Sequence, residues 1–299
     1  MININLHAVY GICQKRCPHC CIIPGVAQHG THIMTVPDIE RFIVLNQHDK
    51  DRLGIFFIPA GESLMNPNFF EIVDRLATAG FHLIYIATNL ATELTDENLR
   101  TLTKIQYVAV DFSDYAIPQS LLDLTLENYR RLQAIAPTQV QAKRVYHPNM
   151  GPAVVPEMQS GTTIDVYSEG FMKWLIDPEY DFENYLERLG LPSLQDPAIR
   201  DWSTVPKLEH CSPFQVSVLT TGEVSLCVCQ PLREDGAYIG NAFSTPVLEM
   251  LGTERTRDIA HQIWNREFTA GCQFCYGAGY EDGKDSELRD LLLSSSYMS

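Results

Sequence analysis

The chain has 299 residues, 45% of them hydrophobic, and a formal net charge of −15. That length suits one large domain, or a large and a small one, and the acidic balance argues against general nucleic-acid binding and against an anionic membrane surface. No apolar run approaches the roughly 20 residues of a bilayer span; Met1 to Leu6 lacks the basic start and apolar core of a signal peptide; and nine cysteines, an odd count, point to metal or catalysis in a reducing, cytoplasmic compartment rather than to disulfides.

Ile2 to Val9 alternates apolar and polar residues and reads as a first strand. Tyr10 to Cys21 follows, with Cys13, Cys17 and Cys20 in a C-x3-C-x2-C spacing. Gly11 and Pro18 favour a wrapping loop there over a helix. Cysteine thiolates hold iron–sulfur clusters, and a cubane normally takes four. Three close cysteines fill three irons and leave one open, and an open position is what a catalytic metal site keeps. A zinc site would more often show paired C-x2-C units.

Thr35 caps a helix with Pro37 in its first turn and Ile39, Phe42 and Ile43 on its apolar stripe. Ile55 to Ile58 is a buried strand, and Phe69, Ile72, Val73 and Leu76 mark the next helix. Leu83 to Ala87 is a strand, Leu94 to Leu102 a short helix capped by Thr95, and Tyr107 to Val110 a strand. Leu122, Leu126, Tyr129 and Leu132 share a helical face, and Val140 to Val145 and Thr163 to Tyr167 complete the strands. Such alternation implies βαβ units on a parallel sheet. Asp177 to Leu189 has a helical pattern, and three X-Pro steps between Leu191 and Pro206 read as a linker, placing a boundary near residue 200. Glu281 to Asp290 is a charged, solvated stretch.

The loop spacing resembles the signature of the radical S-adenosylmethionine (radical SAM) superfamily, although His19 stands where the family usually has an aromatic residue. The resemblance implies that Cys13, Cys17 and Cys20 hold a 4Fe–4S cluster whose open iron is chelated by S-adenosyl-L-methionine, which is cleaved to a 5′-deoxyadenosyl radical. It also implies an α/β fold, a partial (β/α)6 TIM-type barrel over residues 1–200, which six strands suit and a full eight-unit barrel does not. Active sites in such sheets lie at the C-terminal strand ends. Pro59-Ala60-Gly61-Glu62-Ser63 resembles the family's Gly-Gly-Glu-Pro stretch, with Ala60 and Ser63 as departures. Gly61, Glu62 and Ser63 are therefore expected at the cofactor's ammonium group, a charge-assisted pairing. Asn89 and Asp111, at the ends of the third and fourth strands, and Arg144, in the fifth, are further expected cofactor contacts.

Cys211, Gly222 and Cys227 form a C-x10-G-x4-C pattern that resembles the opening of SPASM and twitch extensions of the same superfamily. Phe214 to Leu219 and Val224 to Leu226 flank a Thr221-Gly222-Glu223 turn, a hairpin bringing the two cysteines together. With Cys272 and Cys275 they imply one auxiliary 4Fe–4S cluster in a small α+β twitch-like domain over residues 201–299. Four such thiolates also suit zinc. Gly240-Asn241 and a helix starting at Val247 fit the same segment, and Cys227-x-Cys229 leaves open which cysteine ligates. Cys229 as a hydrogen-atom donor, and the Cys20-Cys21 doublet, resemble radical SAM peptide epimerases.

The expectation is thus a radical SAM enzyme that abstracts hydrogen from a substrate C–H bond, fed by a flavodoxin- or ferredoxin-type electron donor. A peptide substrate, as in maturation of ribosomally made peptides, is the first reading; the lack of room ahead of the first strand for a peptide-recognition domain counts against it. Dehydrogenation of a small alcohol or aminocyclitol is the second. A zinc-binding module without catalysis is the alternative of another class.

Overall fold

The computed structural model describes residues 1–15, 31–58, 60–112, 118–146, 162–165, 216–226, 238–265, 288 and 292. Six strands, β1 (Ile2–Leu6), β4 (Leu53–Phe57), β5 (His82–Thr88), β6 (Tyr107–Asp111), β7 (Val140–Tyr146) and β8 (Thr162–Asp165), lie side by side in that order and all run parallel. Helices α1 (Val36–Asn46), α2 (Phe69–Thr78), α3 (Asp96–Leu102) and α4 (Gln119–Ile135) fill the connections between β1 and β7. The sheet continues past β1 through β9 (Val216–Val218), parallel to it, then the antiparallel β10 (Glu223–Ser225) and β11 (Gly240–Asn241), making nine strands. Two further helices, α5 (Val247–Leu251) and α6 (Glu254–Trp264), follow. The described strands form an open run with β8 and β11 at its edges. Among the described residues no helix is long and apolar enough to cross a membrane.

The elements follow from the pattern of their residues. In β1 the even positions Ile2, Ile4 and Leu6 are fully buried and join Leu53, Ile55 and Phe57 of β4 in the core. Helix α2 lays Phe69, Ile72, Val73 and Leu76 against them, with Phe69 edge-on to Phe57 at 5.2 Å. Helix α1 opens with a capping box between Thr35 and Asp38. Asn46, buried at its end, reaches from the Phe42 carbonyl to the Val247 amide and ties α5 to the sheet's helix layer.

The first strand ends sooner than its alternation suggests. The chain bends at Ala8, just past the bond from the His7 amide to the Val218 carbonyl, and residues 9 and 10 start a separate strand, β2 (Val9–Tyr10). This pairs antiparallel with β3 (His32–Ile33), a ladder the sequence reading did not contain. Its strands are too short to show a period. The cysteine segment therefore leaves through β2 and returns through β3. Asn66 clasps this neck, donating to the Ala8 carbonyl at 2.9 Å and the Met34 carbonyl at 2.8 Å.

The odd positions of β1 face the other side and are polar. Asn5 exchanges two hydrogen bonds with the Ile58 backbone, which fixes its amide orientation. That aims its Nδ2 at His7 Nε2, 3.0 Å away, while the Ala60 amide donates to His7 Nδ1 at 3.3 Å. Both ring nitrogens thus face N–H donors, of which a neutral imidazole can accept from one and a doubly protonated ring from neither. Burial pushes the His7 pKa down from 6.5 to about 4. A depressed histidine pKa gives stability that is present above pH 6.5 and lost as pH falls towards 4. The shift corresponds to about 3 kcal/mol. Denaturation midpoints measured from pH 7.5 to pH 4 should fall more steeply for the wild type than for His7→Gln. Parallel curves would show that His7 is not the group responsible.

Candidate active site

Of the residues singled out as a cofactor pocket, Gly61, Glu62, Ser63 and Asn89 follow the C-terminal ends of β4 and β5, Asp111 closes β6, and Arg144 lies within β7. Main-chain bonds bring the loops after β1 and β4 together. The Gly11 amide donates to the Ala60 carbonyl at 2.6 Å, and the Glu62 amide to the Ile12 carbonyl at 2.8 Å. Gly61 lies between them with φ of +152°. A Cβ there would stand 2.5 Å from the Ile12 carbonyl oxygen. Only glycine permits this close crossing of two backbones.

Glu62 is buried, and its carboxylate links the β4 and β5 loops. Oε1 accepts from the Leu64 amide at 3.1 Å and the Thr88 hydroxyl at 2.7 Å, and Oε2 accepts from the Asn89 amide at 2.6 Å. Burial pushes its pKa up; the Asn89 and Leu64 amides, the Thr88 hydroxyl and the charge of Lys15 pull it back. Ser63 is fully buried and opens the 3-10 turn Ser63–Met65.

Asn89 is anchored from three sides. Its amide meets Glu62, its carbonyl accepts from Thr125 of α4 at 2.8 Å, and its side-chain Oδ1 accepts from the Ala91 amide at 2.9 Å. Leu90, with φ of +49°, turns the chain directly after it. Asn128 of α4 holds that turn by the Leu90 and Thr92 carbonyls.

The cysteine loop starts across this platform. Cys13 is half-buried, and Asn89 Nδ2 donates to its sulfur at 3.6 Å. Gln14 Nε2 lies within hydrogen-bond reach of Asn89 Oδ1, the Ala91 carbonyl and the Thr92 hydroxyl. Lys15 is buried and donates to the carbonyls of Asp111 at 2.7 Å and Phe112 at 3.1 Å, beyond β6. Three consecutive residues therefore reach from β1 across β5 to β6.

The structure thus brings together Cys13, Gly61, Glu62, Ser63, Asn89 and Asp111. Arg144 lies in β7 in register with Thr163 of β8, one residue beyond the Asp111–Lys143 pair. Cys17, Cys20, Cys211, Cys227, Cys229, Cys272 and Cys275 lie outside the described residues, and among the described residues no three metal-binding side chains gather. The hairpin expected between Cys211 and Cys227 does form: Ser217 pairs with Ser225, and Gly222 turns with φ of +92°.

Sequence reasoning missed His7, Gln14 and Lys15, whereas Thr88 was read with Asn89 as a Thr-Asn pair ending the third strand. His7 had a signal, being the next odd polar position after Asn3 and Asn5 of β1. A lysine inside a loop reads as solvated, and nothing in the sequence marks Lys15 as buried.

The described part of the site suits a thiolate-held cluster with a polar cofactor. An amide N–H aimed at a half-buried sulfur favours the thiolate form. Gln14 Oε1 and Ser63 Oγ, flanking Cys13 and Glu62 in sequence, are buried polar atoms without a protein partner.

No protein-family model matches the sequence, and no curated protein matches it. Solved structures do share its fold. The chain is similar to BtrN in complex with AdoMet and 2-DOIA, with 15% identity, a TM-score of 0.58, and coverage of 92% of this chain and 93% of that one. It is similar to native anSMEcpe with bound AdoMet and Cp18Cys peptide, with 13% identity, a TM-score of 0.54, and coverage of 93% and 88%. Native anSMEcpe with bound AdoMet alone gives a TM-score of 0.52 at 13% identity and the same coverage. Both are radical SAM enzymes with SPASM or twitch domains. The chain has the fold of radical SAM enzymes.

The crossing at Gly61 supplies a test. Gly61→Ala should lower stability by about 2 kcal/mol, from backbone strain and the contact with Ile12. At Gly252 a Cβ meets only carbonyls 3.5 and 3.6 Å away, so Gly252→Ala should stay within about 0.5 kcal/mol of the wild type. Urea denaturation of the metal-free chain reads both; equal midpoints for the two variants would remove the constraint argued for the turn.

Proposed function

We propose that this chain, folded as radical SAM enzymes are, uses its cysteine loop and strand-end platform for radical SAM chemistry. The observation that carries this reading is the convergence of Cys13, the Gly61-Glu62 turn and Asn89 on the C-terminal ends of β1, β4 and β5. A cluster with S-adenosyl-L-methionine supplies, when bound, a 5′-deoxyadenosyl radical able to take hydrogen from an unactivated C–H bond. The protein supplies binding, orientation and exclusion of water.

In this reading Cys13, Cys17 and Cys20 hold the cluster, and Gly61, Glu62, Ser63, Asp111 and Arg144 serve the cofactor. Glu62 already accepts from three protein donors, so its part is to shape the turn assigned to the cofactor's ammonium group. Cys211, Cys272 and Cys275, with Cys227 or Cys229, hold one auxiliary cluster in a twitch-like domain. The β9–β10 hairpin supports this by directing its two ends to one side. A flavodoxin- or ferredoxin-type protein provides the electron.

Peptide modification, with Cys229 as the hydrogen donor of an epimerisation, is supported by the likeness to anSMEcpe, which has a peptide bound. Dehydrogenation of a small alcohol or aminocyclitol is supported by the likeness to BtrN, in complex with 2-DOIA. Where Cys227 is the ligand and iron content is unchanged, Cys229→Ala separates the two: turnover is lost in the first and kept in the second; a fall in iron would instead make Cys229 the cluster ligand.

Anaerobic reconstitution tests the shared chemistry. The wild type should hold about eight irons per chain and a variant with all three loop cysteines changed to alanine about four. Only the wild type should release 5′-deoxyadenosine when given reductant and S-adenosyl-L-methionine. Bound zinc in place of iron, with no deoxyadenosine, would overturn the reading in favour of a metal-binding module.

A further inference from the structure

We propose that the side-chain amide of Asn89 sets the reduction potential of the cluster by donating an N–H···S hydrogen bond to its first ligand, Cys13. The proposal rests on the reading above.

Every other polar group of Asn89 is committed elsewhere. Its backbone amide goes to Glu62 at 2.6 Å and its carbonyl accepts from Thr125 at 2.8 Å. Its Oδ1 accepts from the Ala91 amide at 2.9 Å and from Gln14 Nε2 at 3.1 Å. Two donors on Oδ1 settle which way the amide points, because the reverse orientation would set its N–H groups against both. Nδ2 is left facing Cys13 Sγ at 3.6 Å, an ordinary distance for a donor to sulfur. The residue is buried at 5% exposure, so water competes little for this bond. Its backbone anchors lie on the β4 loop and on α4, and the Ala91 amide holds Oδ1 from the same turn; only the Gln14 bond comes from the cysteine loop.

The consequence follows from charge. Reduction adds one electron to a cluster and increases the negative charge on its thiolate sulfurs. A fixed N–H dipole aimed at one of those sulfurs stabilises the reduced state more than the oxidised state, and so raises the potential. Asn89 was expected from sequence to touch the cofactor; the geometry directs one of its two side-chain N–H groups to the metal ligand and leaves the other for such a contact. It is a positioning and tuning residue rather than a catalytic one.

The test is a redox titration of the reconstituted full chain and of Asn89→Asp and Asn89→Ala. The signal followed is the one that S-adenosyl-L-methionine perturbs, which separates this cluster from an auxiliary one. Asn89→Asp keeps the shape and the Oδ1 acceptor but puts an oxygen where the donor was. Asn89→Ala removes the donor without adding charge. Both should titrate at more negative potential, the Asp variant by about tenfold in the one-electron equilibrium, or about 59 mV. Iron and sulfide content should match the wild type. Wild-type potentials in both variants, with clusters kept, would overturn the proposal alone. Loss of iron from both variants would make Asn89 structural and overturn it as well. A wild-type chain that binds no cluster would overturn the underlying reading and the proposal together.

Discussion

A buried carboxylate accepting three protein hydrogen bonds is the interaction on which the site depends. Glu62 takes the amides of Leu64 and Asn89 and the hydroxyl of Thr88. An isolated charge at that depth would be costly, and a neutral group would satisfy fewer of the donors. By accepting from both sides it fixes the spacing of the β4 and β5 loops. The Glu62 amide, in turn, holds Ile12. One side chain and its own backbone thus connect three strand ends, and Cys13 follows directly on Ile12.

Rigidity comes from below. Helix α4 presents Thr125 and Asn128 to the turn after β5, and Phe112 beyond β6 packs edge-on against Tyr129 at 5.2 Å. These contacts hold backbone carbonyls, which are the groups a sharp turn leaves without partners. Asn66 does the same for the neck of the cysteine loop. The protein therefore spends its buried amides and hydroxyls on loop backbone.

The parallel strands and their helices were legible because each carries its own period. Apolar runs such as Leu83 to Ala87, capped helices such as that after Thr95, and the stripe of Leu122, Leu126, Tyr129 and Leu132 are local signals, and each element stands where its residues require. The break of the first strand was not legible, because residues 9 and 10 leave it to pair with His32–Ile33, in a ladder whose strands are too short to show a period. The open extent of the sheet, and the joining of the β9–β10 hairpin to β1, likewise depend on distant pairing. At the site, Gly61, Glu62 and Asn89 were legible as motif residues, yet their contacts were not. The sequence suggested a glutamate and an asparagine facing a ligand. The structure shows the glutamate turned into the protein and the asparagine turned towards sulfur.

Charge balance explains the placing of Lys15. The chain carries 37 acidic against 22 basic residues, so its net field is negative and opposes a buried carboxylate. Lys15 is buried two residues after Cys13, with its ammonium on the Asp111 and Phe112 carbonyls, and its charge acts on Glu62. In surroundings less polar than water one such cation offsets far more than a surface lysine could. Those carbonyls also hold it at a fixed point, so it does not collapse onto the acid it compensates. The same bonds that stretch the cysteine loop from β1 to β6 therefore bring a positive charge beneath the strand-end platform, where the buried Glu62 lies.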